Sequence, residues 1–303
     1  METYRELGKR LSNWGRWGEE DEIGTINLIT PEIRVAAAAL IQRGVTFDLG
    51  IPFSQDGPQP GGNRVNPLHL MRETGENQDF PGGFHFADDY VVMPLQCATQ
   101  WDGLSHVFYD DHLYNGYPST NVDSHGAAKN AIDALSKDVA GRGVLLDIAG
   151  VKGVENLEAG YVVTPEDLDE ACAAHGVVVR SGDILCIRTG WRTVFTRAGD
   201  AAAFMAGEPG LGLASVEWLR ERDVAAVASD NWAIEALPGE TDDALPVHCV
   251  LIRDLGMTLG EMFDFEELAA DCREDGRYEF FLAAPPLKFA RAVGSPINPL
   301  AIK

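Results

Sequence analysis

Basic residues are scarce in this sequence: 24 Lys and Arg stand against 47 Asp and Glu, a formal net charge of −23 over 303 residues. That balance argues against nucleic acid as a partner, because phosphate binding relies on a clustered Lys/Arg surface and on counterion release. An anionic membrane surface is disfavoured for the same reason. The acidic excess is spread along the chain rather than gathered in a tail, which describes a solvated surface and names no substrate. Cysteine is sparse too. Cys97, Cys172, Cys186, Cys249 and Cys272 are odd in number, widely spaced and free of any C-x-x-C pair, so neither a disulfide framework nor a thiolate zinc site is expected. No apolar run approaches the ~18–20 residues needed to cross a bilayer. The opening Met1-Glu2-Thr3-Tyr4-Arg5-Glu6 lacks the apolar core of a secretory signal, and a cytoplasmic location is the expectation. Gly-x-Ser-x-Gly, a Walker loop and a dinucleotide Gly-x-Gly-x-x-Gly are also missing; Gly210-Leu211-Gly212 lacks the third glycine and reads as a turn.

What is present is an ordinary globular composition, 45% hydrophobic and 23% charged. Thr30-Pro31-Glu32 caps a helix predicted to run to about Arg43 and to end at Gly44. Residues 45–49 alternate as a strand. Gly, Pro and Asn crowd residues 54–90, where apolar periodicity disappears; a long surface loop is expected there, the usual form of a lid or binding loop. Apolar strands are predicted at 143–148, 183–188 and 224–228, alternating with helices at 164–175 and 213–222. Such alternation implies an α/β fold with a covered sheet. With no linker, repeat or low-complexity tract, residues 1–303 read as a single domain with a Trp-rich N-terminal segment.

The densest chemistry lies in Gln96-Cys97-Ala98-Thr99-Gln100-Trp101-Asp102-Gly103-Leu104-Ser105-His106. Polar side chains among small residues allow a tight backbone to converge several donors and acceptors on one point. An Asp can ligate a divalent cation or orient a base, and a His four residues on can move protons near neutral pH. A second cluster pairs His248, before an apolar run, with Glu261, at the end of a strand-like Met257-Thr258-Leu259 segment. Those two can ligate a metal or carry protons, or serve as a capping His and a surface Glu. His69, His85 and His112 have no ligand-spaced partner, and His175 suits a helix end.

The order of these pieces resembles the cyclase family that includes bacterial kynurenine formamidase and isatin hydrolase. Trp17-Gly18-Glu19-Glu20-Asp21, Gly141-Arg142-Gly143-Val144, Gly182-Asp183-Ile184-Leu185 and Gly294-Ser295-Pro296-Ile297-Asn298-Pro299 carry the likeness along nearly the whole chain. The family motif His-x-Gly-Thr-His-x-Asp-x-x-x-His falls on residues 96–106. The resemblance implies a swivelling β/β/α fold, a homo-oligomer, and hydrolysis of an amide, imide or lactone in a small-molecule substrate. It also implies metal ligation by Asp102, His248 and Glu261, with proton transfer by His106. The sequence departs from the motif where two histidines become Gln96 and Gln100 and the glycine becomes Ala98. Amide oxygen is a weaker ligand than imidazole for zinc and better suits hard ions, so the remaining three can hold one divalent ion, manganese or zinc, or equally can work with no metal. Gln96 and Gln100 are then expected to donate to a developing oxyanion, and Trp17 and Trp101 to wall a cyclic or aromatic substrate. Two alternatives stay open: non-hydrolytic cyclisation, dehydration or isomerisation through His106, and ligand binding without turnover.

Overall fold

Successive side chains on a strand point to opposite faces, and the centre of this molecule follows from that rule. The computed structural model describes residues 2–62, 64–197 and 199–303. Its main sheet is built from β1 (Thr46–Asp48), β2 (Gln100–Asp102), β3 (Ala140–Asp147), β4 (Ile184–Arg188), β5 (Ala226–Ser229), β6 (Thr258–Glu261), β7 (Glu279–Ala283), β8 (Gly294–Pro296) and β9 (Leu300–Ile302). They lie in the order β1-β9-β7-β3-β4-β5-β6-β2-β8. Strands β3 to β6 run parallel; the flanking strands are antiparallel.

The apolar runs of the parallel strands are buried on both faces. Val144 and Leu146 of β3, Leu185 and Ile187 of β4, Val227 of β5 and Leu259 of β6 share one cluster with Leu168, Val216 and Leu219. The alternate residues Leu145, Ile184, Cys186, Ala226 and Ala228 join Trp101, Leu268, Ala269 and Phe280 on the other face. Helices supply the covering residues: α1 (Tyr4–Leu11), α2 (Pro31–Ala38), α3 (Pro165–His175), α4 (Leu213–Glu221) and α5 (Glu266–Asp275). Thr164 caps α3 in a reciprocal pairing with Asp167, and Gly176 closes it in the left-handed conformation, as Thr-Pro-Glu-Asp and a following glycine require.

Two expectations change. Helix α2 stops at Ala38 instead of running to Arg43. The Leu40 amide tightens back onto Ala37, and the Arg43 and Val45 amides turn to the Lys303 carbonyl, so a long-range backbone contact displaces the last helical turn. Residues 54–90 are not all loop: Leu68–Thr74 and Ala87–Val92 pair antiparallel as a projecting hairpin arm. Both faces of the arm meet solvent, with Met71 51%, Tyr90 57% and Val92 61% exposed. With no buried face to select one side, the sequence shows no alternation. Among the described residues, no helix is long and apolar enough to cross a membrane.

Candidate functional site

The register of β2 against β6 assembles the site. Asp102 lies opposite Leu259, Trp101 opposite Gly260 and Gln100 opposite Glu261. Residues directly opposite share a face, so Gln100, Asp102 and Glu261 emerge together while Trp101 points the other way. Gln100 Nε2 donates to Glu261 Oε2 at 2.6 Å and lies 3.4 Å from Asp102 Oδ1. His106 Nε2 is 3.7 Å from the same Asp102 oxygen.

His248 reaches the cluster from a short helix, Pro246–His248, that continues into one π-helical segment, Cys249–Asp254. Glu235 fixes its pose. That carboxylate accepts from the Val247 and His248 amides and lies 2.6 Å from His248 Nδ1. With Nδ1 held by Glu235, Nε2 faces Glu261 Oε1 at 3.2 Å. One ligand atom each from Asp102, His248 and Glu261 fall within 4.8 Å of one another, all three side chains buried.

Charge in this space is tightly coupled. Burial alone would push the His248 imidazole down, but Glu235 and Glu261 lift it to about 10. Burial and the Asp102 charge raise Glu261 to about 7, opposed by His248. Glu208 is held far above the usual carboxylate range by burial, although the Trp232 and Ala233 amides donate to it at 2.6 and 2.7 Å. Burial lowers His106 below its ordinary value despite Asp102, leaving it neutral and able to accept a proton near pH 7.

The residues present fit a hard divalent cation. Asp102 Oδ2 and Gln100 Oε1 are buried without a hydrogen-bond partner among the described residues. Buried acceptors are rarely left unpaired, and two carboxylates with one imidazole form an oxygen-rich donor set suited to manganese or magnesium more than to a thiolate-seeking ion.

The remaining expectations separate. Gln96 Nε2 is buried with no acceptor, a free donor as an oxyanion role requires. Gln100 is instead engaged with Glu261 and Asp102, which corrects its assignment as an oxyanion donor. Trp101 is not a substrate wall: it is fully buried, donates to the Ala284 carbonyl at 2.7 Å and packs edge-on against Phe263 in the core. Trp17 is not brought to this cluster within one chain. Its neighbour Arg16 pairs with Asp223, and Thr25 bonds to Ala225 and Gly256. These residues precede β5 and β6, on the opposite rim of the sheet from Glu261. His69 pairs with Asp89 across the arm, and His175 stacks on Tyr278.

Glu235, Glu208 and Arg64 were not foreseen. Glu235 is a lone acid in the apolar stretch Ala233-Ile234-Glu235-Ala236-Leu237, and an acid there was the available signal. Glu208 precedes a segment that reads as a turn, and Arg64 sits in the Gly/Pro-rich loop; neither carries a spacing signature.

The fold is the expected α/β, cyclase-like one. A crystal structure described as a novel cyclase is 46% identical with a TM-score of 0.90, covering 96% of this chain and 99% of that one. An isatin hydrolase from Roseibium aggregatum is 27% identical over 232 residues, 74% of this chain and 77% of the relative. An isatin hydrolase structure bound to the product analogue thioisatinate is 19% identical with a TM-score of 0.61, covering 87% and 93%; at that identity the likeness is one of fold. The Cyclase family model matches residues 47–236, more than half of the sequence, and the chain belongs to the Cyclase family.

Proposed function

We propose that this chain is a metal-assisted hydrolase that opens an amide, imide or lactone bond in a small cyclic or aromatic substrate. The observation that carries this reading is the convergence of Asp102, His248 and Glu261 within 4.8 Å, beside orphaned acceptors and a neutral His106. The family relative named an isatin hydrolase supports the same class of reaction. A divalent ion held by Asp102, His248 and Glu261 would polarise the carbonyl and acidify water.

The chain's own groups do the rest. His106, neutral near pH 7, takes the proton from the attacking water and returns it to the leaving nitrogen or oxygen. Asp102, 3.7 Å from His106 Nε2, steadies the imidazolium formed in between. Gln96 Nε2 donates to the oxygen on which negative charge develops. Gln100 keeps the Glu261 and Asp102 carboxylates in register, and Glu235 holds His248 with Nε2 directed inward.

A cytoplasmic protein suits this chemistry, and the five unpaired cysteines support a reducing compartment. The exposed arm supports a homo-oligomer, and the pairing of β1 with β9 supports a single folded unit.

The test is turnover of a panel of cyclic amides, imides and lactones in ¹⁸O-labelled water. Incorporation of one labelled oxygen into the product, with activity lost in His106→Ala, is expected. Turnover without label would establish isomerisation or cyclisation instead. Full activity in His106→Ala would remove this histidine from the mechanism.

A further inference from the structure

The segment between β1 and the arm is tied to the motif strand region through Gln59. Gln59 Nε2 donates to the Cys97 carbonyl at 2.9 Å and lies 3.8 Å from Met262 Sδ. Asn66 Nδ2 donates to the Gly57 and Gln59 carbonyls, and Asn66 Oδ1 accepts from the Gln59 amide. These contacts hold Arg64 with its guanidinium 5.0 Å from the centre of the Trp232 ring. Trp232 belongs to the site as well, since its amide donates to Glu208.

Two features of this pair are unusual. The Arg64 guanidinium makes no ion pair within 4.0 Å among the described residues, although Glu208, Glu235, Glu261 and Asp102 are buried in the same region. The Trp232 indole Nε1 is also buried without an acceptor among the described residues. An indole N–H can only donate, and a guanidinium stacked on a ring keeps its N–H edge free. A cation and a buried donor, both without acceptors among the described residues, thus stack together where the Trp232 amide meets the Glu208 carboxylate.

We infer that Arg64 and the Trp232 indole N–H receive a carboxylate group of the ligand. A neutral ring would need no cation here, whereas an anion entering among four acids is repelled unless one receives it. The assignment takes its meaning from the hydrolase reading, because cleavage of an amide, imide or lactone creates a carboxylate. The shared chemistry is a small carboxylate, borne by the substrate or formed in the product.

Binding of benzoate and of its neutral analogue benzamide, by calorimetry on the manganese-treated protein, tests this without turnover. Wild type is expected to favour benzoate by about tenfold or more, the scale of a charge-assisted contact. Arg64→Met should abolish the preference, Arg64→Lys should retain part of it, and Trp232→Phe should reduce it while keeping the ring. Equal affinities in wild type, or an undiminished preference in Arg64→Met, would overturn the assignment; the latter would assign the carboxylate to the ion. Turnover of the panel separates the sources. A KM raised by Arg64→Met for carboxylate-bearing substrates alone marks the substrate, and relief of product inhibition at unchanged KM marks the product. If nothing in the panel is hydrolysed, the hydrolase reading fails while the benzoate preference is still judged on its own result.

Discussion

Glu235 accepts from two backbone amides and faces His248 Nδ1, so one carboxylate decides which imidazole nitrogen is turned toward Glu261. Without an ion, the imidazolium formed at His248 bridges Glu235 and Glu261 and occupies a cation's electrostatic role. Raised to about 10, His248 contributes stability in full below its ordinary 6.5 and loses it as pH climbs through 10. Glu261, raised to about 7 from 4.5, acts in the same sense over a lower window: the unfolded chain ionises first, so stability falls as pH rises between those values. Metal ligation needs a bare Nε2 and an ionised Glu261, and so it expels protons. The logarithm of manganese affinity should therefore rise by about one per pH unit from pH 7 to 9 and by about two between pH 5.5 and 6.5. Titration calorimetry in buffers of different ionisation enthalpy measures this directly; an affinity independent of pH would contradict the assigned protonation. Asp102 and His106 were singled out by the motif and His248 and Glu261 by the family resemblance, and the fold brings the four together. Glu235 was not singled out, because its role depends on a fold-dependent hydrogen bond between positions with no ligand spacing.

At the scale of elements, the site depends on close approach among the last three strands at one side of the sheet, β6, β2 and β8. Gly260 of β6 leaves room for Trp101 and Phe263, since a Cβ there would lie 2.5 Å and 2.7 Å from those rings. Gly294 of β8 does the same for Gln96: a Cβ would lie 2.5 Å from Gln96 Nε2 and 3.0 Å from the Trp101 carbonyl. Because the Gln96 amide is the end of a flexible side chain, Gly294→Ala should displace it while the sheet persists. The expected outcome is a kcat reduced about 100-fold, the effect of misplacing a catalytic group by about 1 Å, with KM little changed and circular dichroism intact. Unaltered kcat would mean that Gln96 does not act on the reacting carbonyl. The parallel strands β3, β4 and β5 were readable as continuous apolar runs. Strands β2 and β8 were not, being three residues each, too short for a periodicity to register.

Over the whole molecule, the family architecture was readable because several motifs occur in a fixed order, each weak alone. The arm was hidden by the same physics that makes it informative: a two-stranded hairpin is marginal in water by itself, and this one exposes Met71, Tyr90, Val91 and Val92. If it is buried between copies of the chain, the double substitution Met71→Asp and Val91→Asp should convert the oligomer to monomer in analytical ultracentrifugation; a wild-type protein already monomeric at micromolar concentration would exclude that arrangement. The reduced spread of metal-capable groups among the described residues, Asp102, His248 and Glu261, makes the metal the point on which the functional account turns. Metal content by mass spectrometry on tag-free protein, repeated for Asp102→Ala and Glu261→Ala, tests it most directly. The account predicts about one divalent ion per chain in wild type, as a three-ligand catalytic site holds, and loss of that ion in both variants. Wild-type protein that stays metal-free after manganese and zinc are offered would contradict it.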